Sequence, residues 1–295
     1  MNKRHSISII LIGFSIMSIV SCKKKSSSNY DNGTVLTKFV RIDTSLHAPL
    51  DTLYKLEFQY DNLGRLSSYT NYIYNATASA ADSLEESVIT TFTYNSSGVN
   101  PTGSIILNQQ SNNTFAITYS YDSNSNLTFV KEVESGSSIS EDSDIVYYSY
   151  SGNTTKQTRF FYYGGNVIGS DTTVYQQTVQ NNNIATAEIF VNSPSAYSHN
   201  FTPSYDSHNN PFYAARMIYF ASVNVEDETG GYFGGSINDV SVNNVVSCID
   251  NASFGTFPYL TSGFVYNADG YPISSNYTST DNGYHSGIQY YYYSN

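Results

Sequence analysis

Five histidines, 24 Asp and Glu and two cysteines are the side chains of this chain that could carry proton transfer, metal binding or nucleophilic attack. His5 lies beside an apolar N-terminal stretch, and His47, His199, His208 and His285 stand singly in polar or turn-like surroundings. A hydrolytic serine usually sits in Gly-x-Ser-x-Gly, a zinc hydrolase in His-Glu-x-x-His, and a phosphate cradle in a glycine loop before a helix. None of these occurs, and no cysteine cluster has zinc-ligand spacing. Glu132, Glu134, Glu141, Asp142 and Asp144, and then Glu226-Asp227-Glu228, could offer oxygens to Ca²⁺, but they lack the spacing of a calcium loop. A solvated acidic loop that keeps a strand edge from pairing is the expected reading. We therefore expect no catalytic residue, no metal site, no cofactor and no enzyme, with a hydrolase whose site assembles from distant loops as the outlying alternative.

Cys22 has a different context. Lys3 and Arg4 precede an apolar run from Ile7 to Val20 that ends at Ser21 and then Cys22. That is the anatomy of an export signal, too short for a stable membrane span. The run Ile19-Val20-Ser21-Cys22 resembles the lipobox of bacterial lipoproteins. The resemblance implies cleavage between Ser21 and Cys22, diacylation of the Cys22 thiol and acylation of its new amine. Residues 1–21 then read as a signal peptide and 22–33 as a tether, because Lys23-Lys24-Lys25-Ser26-Ser27-Ser28 has nothing to bury. The remaining 34–295 read as a single repetitive β domain. With Cys22 lipidated, Cys248 has no intrachain disulfide partner, and its apolar setting Val245-Val246-Ser247-Cys248-Ile249 marks it as a buried small hydrophobe.

The formal net charge is −11, which argues against nucleic acid, since phosphate binding needs a Lys and Arg surface. The body is built on period-two alternation. Tyr54, Leu56, Phe58 and Tyr60 share one face while Lys55, Glu57 and Gln59 share the other. Val88, Thr90, Phe92 and Tyr94 form a second such face, and Phe115, Ile117, Tyr119 and Tyr121 a third. Each of these strands ends on Tyr and is followed by Asp or Asn and a turn. Tyr60-Asp61-Asn62-Leu63-Gly64-Arg65-Leu66 is the clearest unit, with Asp able to bond its own backbone and Gly able to take positive φ. It recurs as Tyr94-Asn95-Ser96-Ser97-Gly98, as Tyr121-Asp122, as Tyr205-Asp206 and as Tyr266-Asn267-Ala268-Asp269-Gly270. A recurrence of roughly 30 residues is the mark of stacked supersecondary units. The fold class is all-β: an antiparallel meander of repeated hairpins making a large, curved, twisted sheet, open or partly closed.

The Tyr60 to Leu66 unit resembles the Tyr-Asp repeat of Rhs and teneurin-type proteins, whose hairpins join into a long curved sheet. Tyr205 to Pro211, Asn243-Asn244-Val245, Asp269-Gly270-Tyr271-Pro272 and the Tyr-rich run Ile288 to Tyr293 resemble a group of uncharacterised bacterial outer-membrane lipoproteins built from the same hairpin. The two resemblances imply fold and location rather than activity, and the toxin-delivery role of Rhs shells is not expected to carry over. The expected protein is a cell-envelope lipoprotein at the outer membrane, attached through its lipid, on a face that the basic tether leaves open. Its expected role is a non-enzymatic scaffold or a binder of an envelope protein or other macromolecule. A glycan-binding lipoprotein in nutrient capture is the alternative; 29 tyrosines would suit it and the lack of tryptophan would not.

Overall fold

The computed structural model describes residues 35–44, 51–75, 83–135, 142–181, 183–192, 197–214, 241–252, 255–279 and 285–294. Ser21 and Cys22, the segments 1–21 and 22–33, His5, His47, Glu141 and Glu226 to Glu228 lie outside these residues. The first eight strands are β1 Val35–Asp43, β2 Asp51–Tyr60, β3 Leu66–Asn75, β4 Ser83–Tyr94, β5 Pro101–Asn108, β6 Thr114–Tyr121, β7 Leu127–Ser135 and β8 Asp142–Ser151. They continue as β9 Thr154–Tyr163, β10 Asn166–Gln180, β11 Asn183–Asn192 and β12 Tyr197–Asn209, followed by the short helix α1 Pro211–Ala214. The last four are β13 Asn243–Ala252, β14 Gly255–Tyr266, β15 Pro272–Ser279 and β16 His285–Ser294.

Each strand pairs antiparallel with the next, as the meander reading expects. β16 then returns to β1, with Leu36 opposite Tyr293 and Asp43 opposite Gly287. The sheet is a closed ring of 16 strands, which the sequence had left open. Closure pairs the two terminal strands, the edges that would otherwise be bare. The ring has two ends. At the base, Asp61–Arg65, Asp122–Asn126 and Asn267–Tyr271 turn the chain, β1 begins and β16 ends. The opposite rim carries the Gly164-Gly165 turn between β9 and β10.

Apolar residues point into the ring. Leu36, Phe39, Leu56, Phe58, Leu66, Tyr69, Phe92, Phe115, Ile117, Leu127, Val130 and Val146 belong to one buried cluster. A ring of 16 strands with polar walls would hold an aqueous lumen. Here Leu127, Val130 and Val146 have no solvent exposure, so this part of the interior is packed core.

Strict alternation fails at one repeated place. In β2, β4, β6 and β8 the inward residues run in steps of two, as in Tyr60, Phe58 and Leu56. In β3, β5, β7 and β15, which follow base turns, the first step is three: Leu66 then Tyr69, Pro101 then Ser104, Leu127 then Val130, Pro272 then Ser275, all buried. The cause is a bulge. Gln59 pairs with Ser68 but Tyr60 pairs with Leu66, so β3 carries one extra residue there, and the same shift occurs at Tyr94, Tyr121 and Tyr266. Ser68, Thr70 and Tyr72, which simple alternation from Leu66 would turn inward, therefore face out.

The seam between β16 and β1 depends on a glycine. A Cβ at buried Gly287 would meet the Ile42 carbonyl and stand 2.8 Å from Tyr277 Cε1. Backbone cannot yield as a flexible side chain can, so Gly287→Ala should lower the urea midpoint by an amount equivalent to about 1–3 kcal/mol. An unchanged midpoint would mean that the ring does not close through this contact.

Candidate functional site

The Asp and Asn residues singled out in the repeats are fastened into their own turns. Asp61 Oδ1 accepts from the N–H groups of Leu63 and Arg65, both at 2.9 Å. Asp122 Oδ1 accepts from Asn124 at 2.8 Å and Asn126 at 2.9 Å, and Asn267 Oδ1 from Asp269 at 3.0 Å and Tyr271 at 2.9 Å. The fourth turn residue has positive φ in each: Gly64 at 73°, Ser125 at 67° and Gly270 at 79°. Glycine reaches that region without strain, which is why two of the three turns use it. The Asn95 turn closes by a Gly98 N–H to Asn95 carbonyl bond of 3.1 Å. Arg65 joins neighbouring turns. Its Nε donates to Asp61 Oδ2 at 2.6 Å, and its Nη1 donates to the carbonyls of Asn95 at 3.1 Å and Gly98 at 2.7 Å.

Asp206 departs from this pattern. β12 runs on to Asn209 and the chain enters α1, so Tyr205-Asp206 is not followed by a tight hairpin. Its carboxylate instead ties three strands together. Oδ1 accepts from His208 N–H at 2.9 Å and from Asn244 N–H at 3.2 Å, and Oδ2 accepts from Asn244 Nδ2 at 3.1 Å and from the Tyr266 hydroxyl. His208 Nδ1 is 3.8 Å from that carboxylate, beyond hydrogen-bond reach, and its ring is stacked on Tyr266 at 3.8 Å and 14°. In a triad the carboxylate bonds the ring nitrogen of the histidine base. The pair does not have that arrangement.

The tyrosines share a task. The β1–β2 ladder stops at Lys38 opposite Glu57, which leaves the Leu36 carbonyl past the end of the pairing. The Tyr60 hydroxyl donates to it at 2.8 Å. The same interval recurs. The β3–β4 ladder stops at Ser68 opposite Thr91, and Tyr94 donates to the Leu66 carbonyl at 2.8 Å. The β7–β8 ladder stops at Phe129 opposite Tyr147, and Tyr150 donates to the Leu127 carbonyl. The β15–β16 ladder stops at Ser274 opposite Tyr290, and Tyr293 donates to the Pro272 carbonyl at 2.6 Å. Tyr121 packs against the same core without one of these four bonds, and Tyr205 accepts from Ser241 Oγ at 3.0 Å. Burial pushes the Tyr60 and Tyr293 hydroxyls far above the usual tyrosine value, so they remain donors across the physiological range. At the same end Phe212 of α1 meets Phe39 at 5.4 Å and Tyr291 at 6.2 Å.

Farther from the base the interior carries charge that the sequence did not reveal as internal. Glu132, read as part of a solvated acidic loop, is 5% exposed on β7. Asp144, from the same run, pairs on β8 with the guanidinium of buried Arg159, whose Nε is 3.0 Å away. The loop reading is wrong for both, because each occupies an inward strand position. On β1, Arg41 is buried and meets Gln289 of β16. In the amide orientation that satisfies both ends, Gln289 Oε1 accepts from Arg41 Nη2 at 2.9 Å and Nε at 3.1 Å, while its nitrogen donates to the Ser275 and Tyr291 hydroxyls. Cys248 is buried, in keeping with its apolar setting.

The outer wall is mixed: Ile105, Tyr147, Ile249, Leu260 and Ile273 are exposed on it beside many polar residues. Gln59, Thr91, Thr118, Ser120, Lys131, Lys156, Asn200 and Thr202 are exposed there. Lys38 lies 5.0 Å from the Tyr292 ring centroid and Lys55 bonds Glu57 at 3.2 Å. A membrane-spanning barrel carries an apolar outer band, and each Lys on a lipid-facing wall costs about 2–4 kcal/mol near the bilayer midplane. No helix among the described residues is long and apolar enough to cross a membrane.

No protein-family model matches this chain, and no curated protein is similar enough to count as a match. Solved structures do match. The chain is similar to a porin-like protein from Bacteroides uniformis, at 13% identity and a TM-score of 0.52, over 88% of this chain and 96% of that one. It is also similar to a porin-like protein from Bacteroides vulgatus, at 11% identity and a TM-score of 0.44, over 89% and 99%. At 13% identity the first likeness is one of fold.

Two outcomes follow from the base. Tyr60→Phe and Tyr94→Phe keep the ring and strand the carbonyl, so each should cost about 1 kcal/mol in chemical denaturation. Full stability in both variants would mean that the hydroxyls do not close the ladders. The second outcome concerns pH. Burial raises the Asp61 carboxyl, but bonds from Arg65 and Leu63 outweigh it and hold the group below its ordinary value; bonds from Asn126 lower Asp122. A carboxyl lowered on folding contributes stability above its unfolded value of about 4, and that contribution is lost as pH falls through the folded value. Asn267 makes the same turn with an uncharged amide. The Asp61→Asn, Asp122→Asn double variant should therefore lose less stability between pH 5 and pH 2 than the parent, as read from urea midpoints across that range.

Proposed function

We propose that this protein is a lipid-tethered, water-facing β-barrel of the bacterial cell envelope that serves as a non-enzymatic scaffold for another macromolecule. The observation that carries this is the set of charged and polar side chains exposed on the outer wall, Lys131, Lys156, Gln59 and Asn200 among them, around a buried apolar cluster. Such a wall is stable in water and costly in lipid. Attachment then falls to the acyl chains on Cys22, as the lipobox resemblance implies. β1 starts at Val35 at the base, so a tether over 22–33 would put the base toward the membrane, within roughly 40 Å at 3.3–3.6 Å per residue. The opposite rim would point away from it. The carboxylates of Asp61, Asp122 and Asp206 are occupied by structural bonds, which supports a scaffold over a hydrolase.

Glycan capture has one feature in its favour, the exposed Tyr147 ring between Phe129 at 5.4 Å and Phe160 at 6.2 Å. The rings cross at 60° and 79°, however, and sugars stack best on a flat platform. The scaffold reading is therefore preferred.

The test is the full-length chain with Cys22→Ser, followed through fractionation in a lipoprotein-exporting bacterium. The variant should move from the membrane pellet to the soluble fraction and stay folded without detergent, because the acyl chains on Cys22 are the whole anchor. A variant that stays in the pellet after a carbonate wash, or needs detergent for solubility, would show that the wall itself enters the membrane.

A further inference from the structure

Among the described residues, two cations of the outer wall lack a partner. Lys55 bonds Glu57, Arg65 bonds Asp61, Arg159 bonds Asp144, Arg41 meets Gln289 and Lys38 lies over the Tyr292 ring. Lys131 on β7 and Lys156 on β9 are exposed and have no such contact. The ladder register places both around one aromatic ring. Tyr147 of β8 pairs with Phe129 on one side and Thr158 on the other, so Lys131 and Lys156, each two residues from one of those partners, are its diagonal neighbours on opposite sides. Diagonal neighbours on one face of a sheet stand about 7–8 Å apart, which puts the two lysine backbones roughly 15 Å apart with Tyr147 midway. Tyr147 is 50% exposed and lies between Phe129 at 5.4 Å and Phe160 at 6.2 Å. Ile145, opposite both Lys131 and Phe160, extends this apolar patch. The described carboxylates of β6 to β9, Glu132 and Asp144, occupy inward positions. On a chain of net charge −11, this face is therefore locally positive.

We infer that the outer face around Lys131, Tyr147 and Lys156 docks an acidic segment of a partner protein, which seats an apolar side chain against Tyr147 between two carboxylates. The spacing specifies the segment. In an extended strand the side chains i, i+2 and i+4 share one face, and i and i+4 are about 13–14 Å apart, within reach of the two flexible lysine stems. An acid, an apolar residue and an acid at those positions would meet Lys131, Tyr147 and Lys156 in turn. The aromatic ring would supply buried area, and the lysines would supply orientation and choice of partner. Lipid head groups fit poorly, because sites that read them gather roughly 4–8 lysines and arginines and this face has two. A glycan fits poorly because the rings around Tyr147 cross rather than form a platform. A second copy of this chain meeting the same face would set lysine against lysine. The inference deepens the scaffold reading by naming the partner's chemistry, and it rests on that reading for a partner that is a protein.

The test uses the full-length protein in mild detergent and an end-capped Glu-Thr-Trp-Thr-Glu peptide. The chain has no tryptophan, so indole emission reports the peptide alone. Titration with protein should shift that emission to the blue in a saturable way, and added salt should weaken the binding. The matching Gln-Thr-Trp-Thr-Gln peptide should bind at least tenfold more weakly, which corresponds to about 1.4 kcal/mol. Lys131→Glu, Lys156→Glu and Tyr147→Ser should each weaken binding of the acidic peptide by as much, with melting curves like the parent's. The Lys131→Glu, Lys156→Glu double variant should instead take up Lys-Thr-Trp-Thr-Lys, a gain that an unfolded variant could not show. Lys38→Glu, across the ring on β1, makes the same change of charge and should leave the acidic peptide bound as before. No saturable binding at submillimolar protein would overturn the inference, as would binding that ignores salt or all three single variants. Flotation with phosphatidylglycerol vesicles beyond that with phosphatidylcholine, lost in Lys131→Glu, would assign the face to lipid head groups. Retention on immobilised polyuronate lost in the same variant would assign it to an acidic glycan, and a sedimenting dimer lost in Tyr147→Ser would assign it to a second copy. Each of these three results would overturn the protein-segment assignment. None of the readouts depends on Cys22, so the tether reading stands or falls separately.

Discussion

Backbone hydrogen bonding at the base is the constraint on which the rest of this barrel depends. Where a bulge bends one strand away from its neighbour, the ladder ends early and a carbonyl is left inside an apolar end of the molecule. Leu36, Leu66, Leu127 and Pro272 each hold such a carbonyl, and Tyr60, Tyr94, Tyr150 and Tyr293 each reach one with a hydroxyl. An unpaired buried carbonyl costs about 1–3 kcal/mol, so a phenylalanine of the same size could fill the space but would not serve. Tyrosine supplies the ring that seals the core and the donor that ends the ladder. This is a physical reason for the tyrosine that precedes the turns at Asp61 and Asn95.

The bulges have a second consequence. By inserting one residue at the start of β3, β5, β7 and β15, they move the inward set by one position and turn Tyr69, Ser104, Val130 and Ser275 into the ring. The interior that results is layered. Leucines and aromatic rings occupy the base, and farther up Arg41 with Gln289 and Arg159 with Asp144 occupy a zone where charge is paired or bonded. Buried ions stabilise little in net terms, since desolvation offsets their attraction, but a lone one would be costly. Their pairing across adjacent strands favours the observed register over a slipped one.

A shared barrel fold does not decide which solvent surrounds it. Strand number and closure describe how backbone groups are satisfied, and a ring satisfies them equally in water and in lipid. Which solvent suits the ring is decided by the outer side chains. Here Lys131, Lys156 and Asn200 are exposed outside, and Val130 and Val146 are sealed within.

Much of this was legible in the residues themselves. Alternation in Leu56 to Tyr60 and Phe115 to Tyr121 is strong because one wall face is dry and the other wet, and Asp or Asn followed by Gly marks a turn that needs positive φ. Strand type, hairpin order and the inward face of the even-numbered strands are local properties, so the sequence by itself determined them. Three matters were not local. The inward face of β3, β5, β7 and β15 depends on a bulge whose position is set by pairing with the preceding strand, so Ser68 and Thr70 could not be placed from their own neighbours. Glu132 and Asp144 looked like part of a solvated loop because nothing in their own neighbourhood marks them as inward, and the partner of Asp144 is Arg159, a residue on a different strand. Closure itself depends on β16 reaching β1 across more than two hundred residues, and on Gly287 allowing the approach. Long-range pairing energy has no signature in a short window of sequence, and only the tertiary structure decided these.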